Sequence, residues 1–147
     1  MKKLIFVLII PLSAYGCINK SAKEPTNSNN IEGSWKMVYA ETKENDSIVR
    51  KDLSNTSFVK FIGKNHFAFF NQENSSASNF YSGGGTYSLK GDNYTETLKF
   101  SANKAIRNHA FSFTVRIVGD TLIQSGLEKV PAANMNREII EKYIKLK

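Results

Sequence analysis

Residues 94–100 and 111–117 alternate their side chains with a strict period of two, and a chain that does this can bury one face only as a β-sheet. Tyr94, Glu96, Leu98 and Phe100 share one face of the first run, with Thr95, Thr97 and Lys99 opposite. In the second run Phe111, Phe113, Val115 and Ile117 oppose Ser112, Thr114 and Arg116. Thr, Phe, Tyr and Val suit a pleated, half-buried surface. The pattern predicts a further strand over 33–41, with Trp35, Met37 and Tyr39 on one face. Aromatic-rich runs at 57–62 and 66–71 flank Gly63-Lys64-Asn65, a hairpin signal. Residues 80–89 read as a strand interrupted by Gly83-Gly84-Gly85, followed by a turn at Lys90-Gly91-Asp92-Asn93. Gly119-Asp120 turns the chain into a strand over 121–125. Residues 42–55 read as polar loop in which Ile48, Val49 and Leu53 form a short helical turn, and 71–79 read as loop. Segment 137–147 fits two periods: Ile140, Ile144 and Leu146 suit a strand, whereas Ile139, Ile140, Tyr143 and Ile144 suit a helix face. Short strands and tight turns predict an all-β, antiparallel sandwich or barrel.

The N-terminus is of another kind. Lys2 and Lys3 precede an apolar run at 4–12 broken by Pro11, then come Ser13, Ala14 and Gly16, directly before Cys17. The run is shorter than the about 20 residues a spanning helix needs, and the arrangement predicts a secretory signal over 1–16. It resembles a bacterial lipoprotein signal, which implies that Cys17 is acylated and becomes the mature N-terminus. Ala14 stands where such signals usually carry Leu. The other reading is an ordinary cleaved signal that leaves Cys17 as a free thiol. Cys17 is the chain's single cysteine, so it has no disulfide partner within it. Two or more acyl chains would give stable membrane anchoring. Ile18 rather than Asp after the cysteine points, by the familiar sorting pattern, to the outer membrane. The segment to residue 30 is rich in Asn, Ser, Lys and Pro and reads as a tether, so 17–30 comprises a lipidated cysteine and a flexible linker. Residues 31–147 are expected to form one domain, long enough to bury a core.

The formal charge is +7, and removal of Lys2 and Lys3 with the signal lowers it to +5. Lysines lie beside acids, as in Lys43-Glu44 and Lys51-Asp52, and form no basic stripe. Nucleic acid is therefore not expected as a partner; a spread positive surface suits an anionic membrane face.

Further stretches carry a resemblance. GSWKMV at 33–38 looks like the Gly-x-Trp opening of lipocalin-like proteins, and GTYSLKGDNYTETLKF at 85–100 resembles the central hairpin of small bacterial lipocalin-like lipoproteins of unknown function. VGDTLIQSG at 118–126 resembles their next hairpin, and EIIEKY at 138–143 their closing strand, with Ile140 in place of the usual Trp and Lys142 in place of Arg. The resemblance implies an antiparallel lipocalin-like or fatty-acid-binding-protein-like β-barrel of about eight to ten strands, with Trp35 plugging its closed end.

The residues offer little for catalysis. Gly83-Gly84-Gly85 is followed by a strand rather than a helix, so it reads as a bend or bulge, not a phosphate loop. His66 and His109 lie far apart in sequence without nearby ligand-type partners, so no metal is expected. There is no Gly-x-Ser-x-Gly elbow and no cysteine nucleophile in the folded part. No enzyme activity and no cofactor are expected.

Glu96, on an otherwise apolar face, needs a partner or a shifted pKa. It reads either as a polar anchor for a ligand or as half of an ion pair with Arg116, Arg107 or a lysine near the rim. With 12% aromatic residues, some rings must face the barrel interior, where they can line a ligand site or fill a core. Phe67, Phe69, Tyr87, Tyr94, Glu96, Leu98, Phe111 and Phe113 are the candidate wall residues. The function expected is a membrane-anchored barrel that sequesters a small apolar or amphipathic molecule. The alternative is an envelope interaction or inhibitor module working through loops 42–55, 71–79 and 101–108.

Overall fold

The computed structural model describes residues 30–147, which form nine antiparallel strands and two single 3-10 turns. The strands are β1 (Gly33–Glu44), β2 (Ser47–Arg50), β3 (Thr56–Ile62), β4 (His66–Glu73), β5 (Tyr81–Lys90), β6 (Asn93–Phe100), β7 (Ala110–Val118), β8 (Thr121–Val130) and β9 (Met135–Lys145). From β3 onward each strand pairs with the next, and β1 bonds to both β3 and β9, closing an eight-stranded barrel. β2 is the additional strand, paired with the far half of β1 from Glu41 to Glu44. Closure leaves the barrel strands without a free edge, which is how an all-β domain avoids edge-to-edge pairing. Among the described residues no helix is long and apolar enough to cross a membrane.

The expected hairpins at 63–65, 91–92 and 119–120 all form, and in an antiparallel barrel they gather at one end. That end is sealed. Trp35 is 1% exposed, and its indole Nε1 donates to the Ile31 carbonyl at 2.8 Å. Met37, Val115 and Leu122 are buried in the same core cluster as Trp35. The longer connections, 74–80, 101–109 and 131–134, leave from the opposite end. There the 3-10 turns Lys104–Ile106 and Pro131–Ala133 touch each other, and Ile106 and Ala133 rest on the core.

Segment 137–147 resolves as a strand. Ile139 and Tyr143 point inward, while Ile140 and Ile144 face out. Three expectations need correction. Residues 42–55 contain no helical turn: β1 runs on to Glu44 and doubles back as β2, with Ile48 and Val49 exposed. The turn between them, Asn45-Asp46, holds both residues at positive φ (47° and 61°), the two-residue hairpin geometry that matches strand twist. Tyr39 does not share the Trp35 and Met37 face, because a bulge between Met37 and Tyr39 inverts the parity and turns Ala40 inward.

Phe100 leaves the face of Tyr94, Glu96 and Leu98 for the same kind of reason. A bulge opposite Gly84 and Gly85 inserts Lys99 and leaves Phe100 72% exposed. The glycines permit it: a Cβ on Gly85 would lie 1.9 Å from the Thr97 carbonyl oxygen.

Candidate functional site

Two strands carry a polar residue in the middle of an apolar inward face. On β3, Lys60 lies between Phe58 and Ile62; on β6, Glu96 lies between Tyr94 and Leu98. The strands face each other across the barrel, and Lys60 Nζ meets Glu96 Oε1 directly. Lys60 also donates to Gln124 Oε1 of β8 at 2.8 Å. The rings of Phe67, Tyr94 and Tyr143 surround the ammonium at 5.3, 5.2 and 5.9 Å from their centroids. Lys60 is 3% exposed and Gln124 2%, so the charge is held by a counter-ion, a carbonyl and aromatic faces rather than by water. Arg116 points to the outer face, and Arg107 is spent on the Ser101 carbonyl, so neither is the Glu96 partner considered from sequence.

A second acid lies beside this pair. Glu141 of β9 accepts a hydrogen bond from the Tyr143 hydroxyl at 2.6 Å but forms no ion pair among the described residues. Burial raises its carboxyl pKa, while the Lys60 charge and the Tyr143 hydrogen bond pull it back down. Burial also raises the pKa of Tyr143 and of Tyr94, with the Glu141 and Glu96 charges respectively adding to it. The Tyr94 hydroxyl is fully buried and has no hydrogen-bond partner among the described residues. Nearer the open end, Arg137 of β9 donates to Glu128 of β8 at 2.6 Å.

These side chains border two adjoining cavities. The deeper, ≈ 180 Å³, is walled by Phe58, Lys60, Phe113, Gln124, Ile139, Glu141 and Tyr143. The outer, ≈ 330 Å³, lies under the 101–109 loop and is walled by Leu98, Ile106, Phe111 and Met135 among others. Phe69, Tyr81, Glu96, Glu128 and Arg137 border both. The interior is thus partly filled, with its free space running from the loop-covered mouth to the charged cluster.

Of the wall residues proposed from sequence, Phe69 and Glu96 border both cavities, Leu98 and Phe111 the outer, and Phe113 the inner. Phe67 is buried beneath Lys60, and Tyr94 lies deeper than the cavity wall. Tyr87 is elsewhere: it sits toward the sealed end, with its hydroxyl donating to the Gly63 carbonyl at 2.7 Å. His66 is exposed beside Asn65, and His109 packs against the Phe111 ring. Cys17 and the segments expected to be a signal and a tether, up to residue 29, lie outside the described residues.

Sequence reading missed Lys60, Gln124, Glu141 and the Glu128–Arg137 pair. A signal existed for Lys60, which interrupts Phe58 and Ile62 just as Glu96 interrupts Tyr94 and Leu98.

Residues 30–147 match the family model described as a domain of unknown function, DUF4488. The chain belongs to the DUF4488 family. The match begins where the described structure begins and covers the whole barrel, so the DUF4488 unit here is the lipocalin-like barrel itself. A comparison with curated proteins found no match.

Proposed function

We propose that this DUF4488 protein is a binding protein of the bacterial envelope, tethered through an acylated Cys17, that takes a small apolar or amphipathic molecule into its barrel without transforming it. The observation that carries this reading is the free space inside the barrel. A mouth cavity of ≈ 330 Å³ continues into one of ≈ 180 Å³, with aromatic walls and a few convergent polar groups. Concave, mostly apolar sites with a few placed polar groups are the usual form of a small-molecule site. Apolar burial would supply the affinity, and the inward polar side chains the orientation.

The test is displacement of an environment-sensitive apolar fluorophore from the purified chain. Wild type is expected to bind the probe saturably. Ala102→Trp, which sets a large ring at the mouth, should weaken binding about tenfold with the fold retained by circular dichroism. Equal binding by the two proteins would place the probe outside the barrel and contradict the reading. The anchor is tested separately: labelled palmitate should enter the wild-type chain in cells and not Cys17→Ala.

One observation supports the alternative, a protein-interaction module. Phe70, Phe80 and Phe100 are exposed around a groove of ≈ 630 Å³ on the outer wall. On the binding reading Phe100→Ser leaves probe affinity unchanged.

A further inference from the structure

The barrel interior is not neutral. Among the described residues bordering the two cavities there are three carboxylates, Glu96, Glu128 and Glu141, and two cations, Lys60 and Arg137. Both cations are taken: Lys60 by Glu96 and Gln124, Arg137 by Glu128. Half-buried Glu141 has the Tyr143 hydroxyl as its hydrogen-bond partner, forms no ion pair among the described residues, and is offset only by the nearby Lys60 charge, which Glu96 already shares. A half-buried carboxylate whose nearest cation is already paired with another acid is an arrangement that a bound cation would relieve. An anionic head in the same place would add a second negative charge beside the first.

Around Glu141 the inner cavity is largely aromatic, with Phe58, Phe69, Tyr81 and Phe113 on its wall. Ring faces accept a cation and an apolar body equally well. The size of the space, ≈ 180 Å³, sets a limit of roughly one ring with a short arm.

We infer that the inner cavity is a site for a small primary amine, its ammonium paired with the Glu141 carboxylate and its apolar body stacked among Phe58, Phe69 and Phe113. This rests on the barrel-binding reading above and narrows its ligand class. It also gives the Lys60–Glu96–Gln124 cluster a role in the site. By neutralising Glu96 the cluster leaves Glu141 as the acceptor for the incoming charge, and its own cation stays too occupied to attract a carboxylate.

The test is a matched trio of probes that differ only in the head group: 2-phenylethylamine, 2-phenylethanol and 3-phenylpropionate, titrated calorimetrically into the full chain. The amine is expected to bind at least about tenfold tighter than the alcohol, and the carboxylate weakest. Glu141→Gln, which keeps an acceptor for the Tyr143 hydroxyl, should bring the amine down to the affinity of the alcohol and leave the alcohol unchanged. Equal or preferred binding of the carboxylate by wild type would overturn the amine assignment while leaving barrel binding intact. So would an amine affinity indifferent to Glu141→Gln. Binding of none of the three, with the apolar fluorophore still bound and displaced by larger amphiphiles, would also overturn the assignment and leave barrel binding standing. Loss of fluorophore binding as well would remove both. The head-group ranking is read on wild type, so it stands even if the Gln variant folds poorly.

Discussion

Lys60 and Glu96 stabilise the barrel only as a pair. Each is removed from water, and either one alone would be a buried charge without compensation. Glu96→Leu or Lys60→Met alone is therefore expected to lower stability by about 3–5 kcal/mol, while the two combined should recover most of that loss. Urea unfolding of the three variants checks this; additive losses in the double variant would contradict the pairing. Tyr94 and Tyr143 set the behaviour at high pH. Burial raises both hydroxyl pKa values, so the folded state keeps protons that an unfolded tyrosine releases near pH ~10. Their contribution to stability is intact below that pH and is lost as pH rises beyond it. Tyrosinate absorbance should show these two rings titrating only together with unfolding, whereas early, reversible titration of every tyrosine would contradict their burial. At this scale the sequence made Glu96 conspicuous because one acid stood among Tyr94, Leu98 and Phe100. Its partner was harder to see. Lys60 comes from a strand thirty-six positions away, and nothing local says which of many lysines turns inward.

Strand identity follows from side-chain periodicity, and the departures come from bulges, which change parity without changing composition. Phe100 continued the pattern of Tyr94, Glu96 and Leu98 but faces out, because β5 approaches β6 at Gly85 too closely for any side chain. That contact makes a sharp prediction. Gly85→Ala would place its Cβ 1.9 Å from the Thr97 carbonyl oxygen and should cost about 2–4 kcal/mol or block folding. Gly63→Ala meets nothing closer than 3.7 Å and should stay within about 0.5 kcal/mol of wild type. A thermal melt series distinguishes the two, and equal effects would contradict the bulge. The β1–β2 hairpin escaped sequence reading for a related reason. Its turn is Asn45-Asp46, without the glycine that usually announces left-handed turn geometry, and its strand residues Ile48 and Val49 face solvent rather than alternating.

For the whole molecule, pairing of β1 with β9 makes the space inside finite, and the unequal ends make it accessible from one side. One end is sealed by Trp35 against Ile31, and the other is roofed by the 101–109 loop and the Pro131–Ala133 turn. An all-β barrel was legible from alternation and turn spacing; how far its interior is filled was not, because aromatic residues serve equally as core and as cavity wall. Whether this interior holds a small molecule is decided by native mass spectrometry of the purified full chain. A reproducible noncovalent adduct of small-molecule mass, reduced by Ala102→Trp and lost on unfolding, is the predicted result. The bare chain mass from several expression hosts, unshifted by added amines or other amphiphiles, would contradict it.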